Sequence, residues 1–380
     1  MKIHSNSHPL KVDVPSVSEI DEIAAFHSKL PGYVPTPLVS IDGIAKELGI
    51  RRLLVKDEGK RFGLKAFKAL GASYAVYKLL QERDAGKLQP EEFLSERGKK
   101  LAEGITFTCA TDGNHGRALA WIARLLGRKA VIFMPQGSVP SRIDAIRSEG
   151  ADVVVVEGGY DDAVRRASEE AEKKGWVVIA DVGYPGYMEI PRYIQMGYMT
   201  IFRETINQLV ERGEKTPDIV FLQAGVGAFA SASALYFNDP ADGIRLVSVE
   251  PGDADCLFRS AEAGDGTAHS SPAFGNTIMA GLNCETPSMA AWPIVRDRFD
   301  CYITIEDHYA EVAMRVLTGE GIVAGESGAA GLGGLIALLE EDPSFAEEKL
   351  QLRDDAHVLV INTEADTDPE GYRRIVGTIG

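Results

Sequence analysis

The sequence predicts an α/β fold built on buried parallel sheet, and three observations predict it. Between residues 105 and 181 short apolar runs alternate with longer amphipathic ones, in the order strand, helix, strand, helix, strand, helix, strand. The apolar runs are only about four to six residues long, as expected of strands covered on both faces. Glycines repeatedly follow these runs, and the chain holds 39 of them, the pattern of strand ends whose loops meet a ligand.

Residues 1–30 read as mixed polar turns with a short helix around 20–30, packed over the body of the protein or over a partner subunit. PGYVPTPLVSIDGIAKELGI reads as extended chain and then a helix, with Ser40 or Asp42 as its cap. A strand is expected at 52–56. In DEGKRFGLKAFKALGASYAVYKLL the spacing of Phe67, Leu70, Tyr74 and Leu79 predicts a helix from residue 66 onward, with Lys65 and Lys68 at its start. Helix N-termini favour acids over bases. These lysines are therefore either solvated or, for one of them, held in a pocket as a nucleophile. Residues 83–103 read as a polar helical excursion on the surface.

The repeating region follows. Strand 105–109 leads to helix 115–126, strand 129–134 to helix 140–149, and strand 152–156 to helix 160–174; strand 176–180 ends at Asp181. Short connections of this kind form a small parallel sheet covered by helices. The first joint, TCATDGNHGRALAW at 108–121, is the most unusual run in the chain. Gly113 and Gly116 allow tight backbone geometry, and Thr111, Asp112 and Asn114 suit a helix start. The run reads either as a capped turn or as a cradle for an anion or cofactor.

Residues 181–200 break the rhythm and read as a crossing between domains, followed by a long helix over about 193–212. Strand 218–223 ends in AGVGAFASAS, where Gly225 and Gly227 can present successive N–H groups to a phosphate. The third glycine of a dinucleotide fingerprint is missing, since the run reads Gly225-Val226-Gly227-Ala228-Phe229. Strand 245–250 precedes a long irregular region, 251–290, whose length suggests a ligand or interface role. Strand 298–305, an exposed helix start at His308, a small-residue helix after Glu326, Ser327 and Gly328, and strand 357–362 complete the chain. Ser327 in GESGA approaches the hydrolase motif, a reading that would need a strand–elbow–helix with partner Asp and His in order.

At 380 residues the chain is long enough for two domains. Its formal charge of −16 disfavours nucleic acid or anionic membrane as a partner. No basic–apolar leader and no run of eighteen apolar residues occur, so the expected location is the cytoplasm. Cys109, Cys256, Cys284 and Cys301 have neither metal spacing nor disulfide-scaffold density, and the histidines are scattered, so no metal site is expected.

DEGKRFGLKAFKALG, TDGNHGRALAW, DVGYPGYMEIPRYIQMGY, QAGVGAFA, GLNCETPS, AGESGAAGL and TEADTDPEGYR together resemble the 2,3-diaminopropionate ammonia-lyase family, within the fold-type II pyridoxal-phosphate enzymes. The resemblance spans residues 30–375. It implies two parallel-sheet α/β domains with the active site in the cleft between them: a cofactor-binding domain from 1–82 and 188–380, and a smaller one from 83–187. It also implies pyridoxal 5'-phosphate as cofactor, a small amino-acid substrate, and a homodimer with the N-terminal region or the 251–290 loop at its interface. Lys68, rather than Lys65, is the implied Schiff-base lysine. Asn114 is the implied partner of the cofactor ring hydroxyl, and Gly225, Val226, Gly227 and Ala228 the phosphate cradle. Thr363 is the implied neutral partner of the pyridine nitrogen. The loop carrying Thr111, Asp112 and His115 is the implied seat of the substrate carboxylate. The resemblance also allows a bridge between Cys256 and Cys284 near the long loop, although free thiols are expected in a cytoplasmic protein.

Two acids bear on the substrate. Serine and threonine dehydratases typically read SGNHG, where this chain reads TDGNHG with Asp112; the second acid is Asp181. Two carboxylates suit a substrate with two ammonium groups. The resemblance implies α,β-elimination to pyruvate and two ammonia, with Lys68 as base on one face and Asp112 on the other, and Asp181 or Asp112 serving the leaving amine. The residues alone also allow Asp112 to be an Asx turn and Asp181 a turn cap. A serine or threonine dehydratase, another amino-acid β-eliminating lyase, or a binding protein without chemistry, is the alternative function.

Overall fold

The computed structural model describes residues 1–377 apart from 7, 273, 274 and 276, so part of the 251–290 connection lies outside the described residues. Its strands are β1 Lys2–Ser5, β2 Leu38–Ser40, β3 Arg52–Asp57, β4 Thr106–Ala110, β5 Lys129–Pro135, β6 Asp152–Val156, β7 Val177–Val178, β8 Ile219–Gln223, β9 Arg245–Pro251, β10 Cys301–Ile305 and β11 His357–Asn362. They form a seven-stranded sheet in the order β1-β10-β9-β8-β11-β3-β2 and a four-stranded sheet in the order β6-β5-β4-β7. Pairing is parallel throughout the small sheet and in the centre of the large one; only the edges β1 and β2 run antiparallel.

Buried parallel strands must be apolar on both faces. β8 (IVFLQ) is buried at every position, and four of the five residues of β4 (TFTCA) are buried. One continuous apolar core joins a face of each sheet, through the helices Lys68–Arg83, Asn114–Leu125 and Glu189–Glu211. The opposite faces carry separate clusters, one under the large sheet and a small one under the four strands.

Topology places the site. From β4 the chain adds β5 and β6 on one side and returns with β7 on the other; from β8 it adds β9 and β10 on one side and returns with β11 on the other. Strand order therefore reverses at β4/β7 and again at β8/β11. Loops leaving the carboxyl ends of strands diverge at such points and open a crevice.

Several expectations need correction. Residues 1–30 hold β1, whose partner residues are some three hundred positions away: Lys2 lies opposite Thr304 and Ser5 opposite Cys301. A four-residue strand with one isoleucine gives no local signal; the edge of β10 forms it. The extended segment before residue 42 is in part strand β2. Neither Ser40 nor Asp42 caps the next helix. Ile41 occupies that position without a side-chain bond, and the Ser40 hydroxyl donates to Asp42 at 2.6 Å. The excursion 83–103 contains only the short pieces Pro90–Glu92 and Glu96–Leu101. The last strand of the small sheet shrinks to Val177–Val178, because Tyr187 Oη donates to Val178 O and accepts from Ala180 N, capping the ladder. The long helix begins four residues early, at Glu189. The connection 251–290 is not wholly irregular, since it holds the helix Cys256–Ala263.

Candidate active site

The loops after β4, β7, β8 and β11 line one cavity of about 350 Å³ between the two sheets. Lys68 enters it as the first residue of the helix Lys68–Arg83, which has no side-chain cap. The segment before it is tied to the end of β11: Phe67 N donates to Thr363 O at 3.2 Å, Ala365 N donates to Lys65 O at 2.9 Å, and Ala66 pairs with Glu364. Lys65 itself sits at φ +62°, a conformation that L-residues adopt sparingly. Its ammonium turns away to Asp366 at 2.8 Å. The backbone thus separates the two lysines that helix propensity could not.

Lys68 Nζ contacts Asp181 Oδ2 at 2.7 Å. Burial works against the ammonium, yet the Asp181 carboxylate outweighs it and holds Lys68 above the ordinary lysine range. Burial likewise opposes ionisation of Asp181, and Lys68 and His115 reverse that and hold its carboxyl well below the carboxylate range. Desolvation depresses His115, with Lys68 adding to the effect and Asp181 opposing it. The imidazole Nε2 lies 2.7 Å from Ile179 O, a pure acceptor, so the proton sits there. Among the described residues Nδ1 is left buried without a partner, 4.0 Å from Asp181.

The loop 111–116 is knotted by Thr111. Its Oγ1 accepts from Gly113 N at 3.0 Å and from Gly116 N at 3.3 Å. Gly113, not a polar side chain, occupies the N-cap of the helix Asn114–Leu125, at φ +153°. An added Cβ there would lie 2.9 Å from Arg142 Cδ. Asp112 lines the cavity, and its carboxylate has no hydrogen bond or ion pair among the described residues. Burial raises it, Arg142 opposes the rise and Asp181 adds to it, placing it at about 6. An acid poised near neutrality can exchange a proton at working pH. Asn114 Nδ2 donates across the cleft to Glu364 Oε2.

On the far wall Gly225, Val226, Gly227 and Ala228 lead from β8 into the small-residue helix Ala228–Tyr236. The N–H groups of Gly225, Gly227 and Ala228 donate to no acceptor among the described residues. A Cβ on Gly225 would lie 2.8 Å from Cys284 Sγ, so no larger residue fits there. Thr363 is buried, and its Oγ1 accepts from Gln223 Nε2 at 2.9 Å. Cys284, pushed up by burial to about 12, and Cys256 are both free thiols.

These groups fit a phosphate-bearing aldehyde cofactor. Unpaired N–H groups at a helix N-terminus suit the phosphate, and Lys68 supplies the amine. Gln223 Oε1 and Glu364 Oε1 are buried at the same cavity without partners among the described residues. Glu364 and Arg142 were not singled out in the sequence. The first adjoins Thr363 at a strand end, and the second lies in the opening turn of the helix Pro140–Ser148; those positions are the signal that could have found them.

A lysine at a helix start, and an asparagine loop and a glycine cradle at two strand ends, converging between two mainly parallel sheets, define a fold-type II pyridoxal-phosphate enzyme. A family model described as pyridoxal-phosphate dependent enzyme matches residues 29–364. The diaminopropionate ammonia-lyase of Salmonella typhimurium is 42% identical over 371 residues, covering 93% of this chain and 91% of that protein. The crystal structure of Escherichia coli diaminopropionate ammonia-lyase in complex with an aminoacrylate-PLP azomethine reaction intermediate has a TM-score of 0.89 and 41% identity, covering 99% of this chain and 96% of that one. The structure of the same enzyme in complex with D-serine matches equally, with a TM-score of 0.89. The chain belongs to the diaminopropionate ammonia-lyase family, and its cofactor is pyridoxal 5'-phosphate.

Proposed function

We propose that the chain carries out α,β-elimination of 2,3-diaminopropionate, giving pyruvate and ammonia, with Lys68, Asp112 and Asp181 handling the protons. The observation that carries this reading is the pairing of Lys68 with Asp181 at 2.7 Å while Asp112 stands unpaired at the same cavity. Two carboxylates near one amine suit a dicationic side of a substrate.

Lys68, Asn114, the 225–228 loop and Thr363 would hold the cofactor. When bound, it supplies an electron sink for the charge left at Cα. The backbone of the 111–116 loop receives the substrate carboxylate at the N-terminus of the helix Asn114–Leu125. Lys68 Nζ takes the Cα proton on its own face, and the Asp112 carboxylate takes it from the other, so each enantiomer meets one base. Asp181, released from Lys68, holds the β-amine as its ammonium at Oδ2, keeping the proton on nitrogen while the C–N bond breaks and the bonding pair leaves with it as neutral ammonia. His115 Nδ1 stands beside it as an acceptor for a substrate N–H.

Assay of ammonia and pyruvate with D- and L-diaminopropionate, D- and L-serine and L-threonine tests the reading. Diaminopropionate is expected to be turned over fastest; faster release from serine or threonine would sink it. We also read the protein as a cytoplasmic homodimer. The free thiols suit a reducing compartment, and the exposed Leu10, Val14 and Val17 of the N-terminal segment suit a partner surface. Among the described residues no helix is long and apolar enough to cross a membrane. Sedimentation of the holoenzyme at twice the monomer mass is expected, and a monomer at micromolar concentration overturns the dimer.

A further inference from the structure

Arg142 is a buried cation without a counter-ion among the described residues. It is 8% exposed, forms no ion pair among the described residues, and its Nε has no hydrogen-bond partner. A guanidinium in that state is costly to bury unless something uses its charge. It lies in the first turn of the helix Pro140–Ser148 and lines the active-site cavity. It also lines a second cavity of about 150 Å³ behind the 111–116 loop.

Its contacts run to that loop. Nη1 lies 3.5 Å from Asp112 O, a long contact, and Cδ fills the space where a side chain on residue 113 would begin. Other groups face Asp112. Asp181, beyond the end of β7, is negative and paired with Lys68. Tyr160, at the start of the helix Tyr160–Lys174, and Cys284, from the 251–290 connection, are both held neutral by burial. Arg142 is the unpaired cation in this set. Glu326 also feels its charge, without contact.

We propose that Arg142 is the positioning residue of Asp112: from behind the loop it fixes the backbone at 112–113 and supplies the positive charge that keeps this carboxylate able to accept a proton. The assignment rests on Asp112 acting as a base in the lyase reaction. Without Arg142, burial and the Asp181 charge act on Asp112 unopposed, and it stays protonated to higher pH. Arg142 touches neither substrate nor cofactor in this role. It acts through Asp112, so its effect belongs to whichever enantiomer uses that base and to the acid side of the profile.

The test compares kcat/KM against pH for D- and L-diaminopropionate in the wild-type holoenzyme, Arg142→Gln, Arg142→Lys and Asp112→Asn. The acid limb of kcat/KM reports the free enzyme, and titration of the substrate amines is common to all variants. Arg142→Gln is expected to move the acid limb up by about one pH unit, the scale of a nearby opposite charge, for one enantiomer only. Arg142→Lys, which keeps the charge, is expected to hold the acid limb close to its wild-type position. Carbon-13 carboxyl resonances of labelled aspartate, assigned to Asp112 by their loss in Asp112→Asn, are expected to show the same upward titration in Arg142→Gln. An unmoved Asp112 resonance in a folded Arg142→Gln protein overturns the proposal, as does an equal loss of rate at every pH for both enantiomers. If Asp112→Asn spares both enantiomers while the resonance still shifts, the charge coupling stands and the lyase role of Asp112 falls instead.

Discussion

Lys68 Nζ and Asp181 Oδ2, 113 residues apart in the chain, meet at 2.7 Å in a pair whose side chains are 22% and 14% exposed. The helix Lys68–Arg83 brings one, and the return of the chain beside β4 brings the other. The pair stores the lysine as an ammonium, so Asp181 must give up that contact before the amine can act. Asp181→Asn is expected to lower kcat/KM for diaminopropionate by about 10²–10⁴, the range for loss of a positioned proton-transfer group. Cofactor binding is expected to persist. Steady-state rates and the visible absorbance of the loaded enzyme check both; a loss below tenfold removes Asp181 from the mechanism.

Lys68→Ala is expected to eliminate the absorbance of the lysine-bound cofactor, and Lys65→Ala to leave it intact. Lys65 lies 44% exposed against Asp366, and an exposed ion pair is worth about 0–1 kcal/mol. The melting temperature of Lys65→Ala should therefore stay within a few degrees of wild type. A normal spectrum from Lys68→Ala would reassign the cofactor lysine.

Asp112 couples stability to pH in a direction that separates it from Asp181. Its folded-state value, raised from 3.8 to about 6, means that the folded protein binds the extra proton between those limits. Stability therefore falls as pH rises through that window, on the order of 2–3 kcal/mol in all. Asp181 has the opposite sign: its depressed value contributes stability above the unfolded range that is lost as pH falls. Asp112→Asn is accordingly expected to raise the apoenzyme melting temperature at pH 8 and to change it little at pH 4. Equal shifts at both would show that Asp112 is not held protonated by its surroundings.

The small sheet was legible because its signals are local. β6 and the helix Tyr160–Lys174 coincide with their expected bounds, since apolar runs and turn residues there lie within about ten residues of one another. β1 was not legible, because its partner strand lies near residue 303. The site divides in the same way. The glycines and the asparagine of the loops stand out in the sequence at 113–116 and 225–227. Glu364 becomes visible only when Asn114, 250 positions away, donates to it. Arg142 becomes visible only when its buried Nε is found without a partner among the described residues. Closure of the chain, not local pattern, sets those relationships.

Behind the Lys68 segment lies a buried network whose failure should be structural rather than chemical. Lys56 Nζ donates to Glu204 Oε2 at 2.8 Å, and Arg61 bridges Glu58 and Glu204 at 2.8 Å. Lys56, Glu58 and Arg61 are at most 1% exposed, and Glu204 is 5% exposed. Glu204 projects from the helix Glu189–Glu211, while Arg61 belongs to the turn that leads towards Lys68. Two cations and two carboxylates balance within the network, so removing one carboxylate strands a buried charge. Such a loss costs about 3–5 kcal/mol. Glu204→Leu is expected to lower stability by that amount in denaturant titration, whereas Glu204→Gln, which keeps part of the hydrogen bonding, should lose less. Once folded, either variant should keep its substrate preference, because no member of the network lines the cavity. A Glu204→Leu protein as stable as wild type would show that solvent reaches Arg61 and Lys56 and carries their charge.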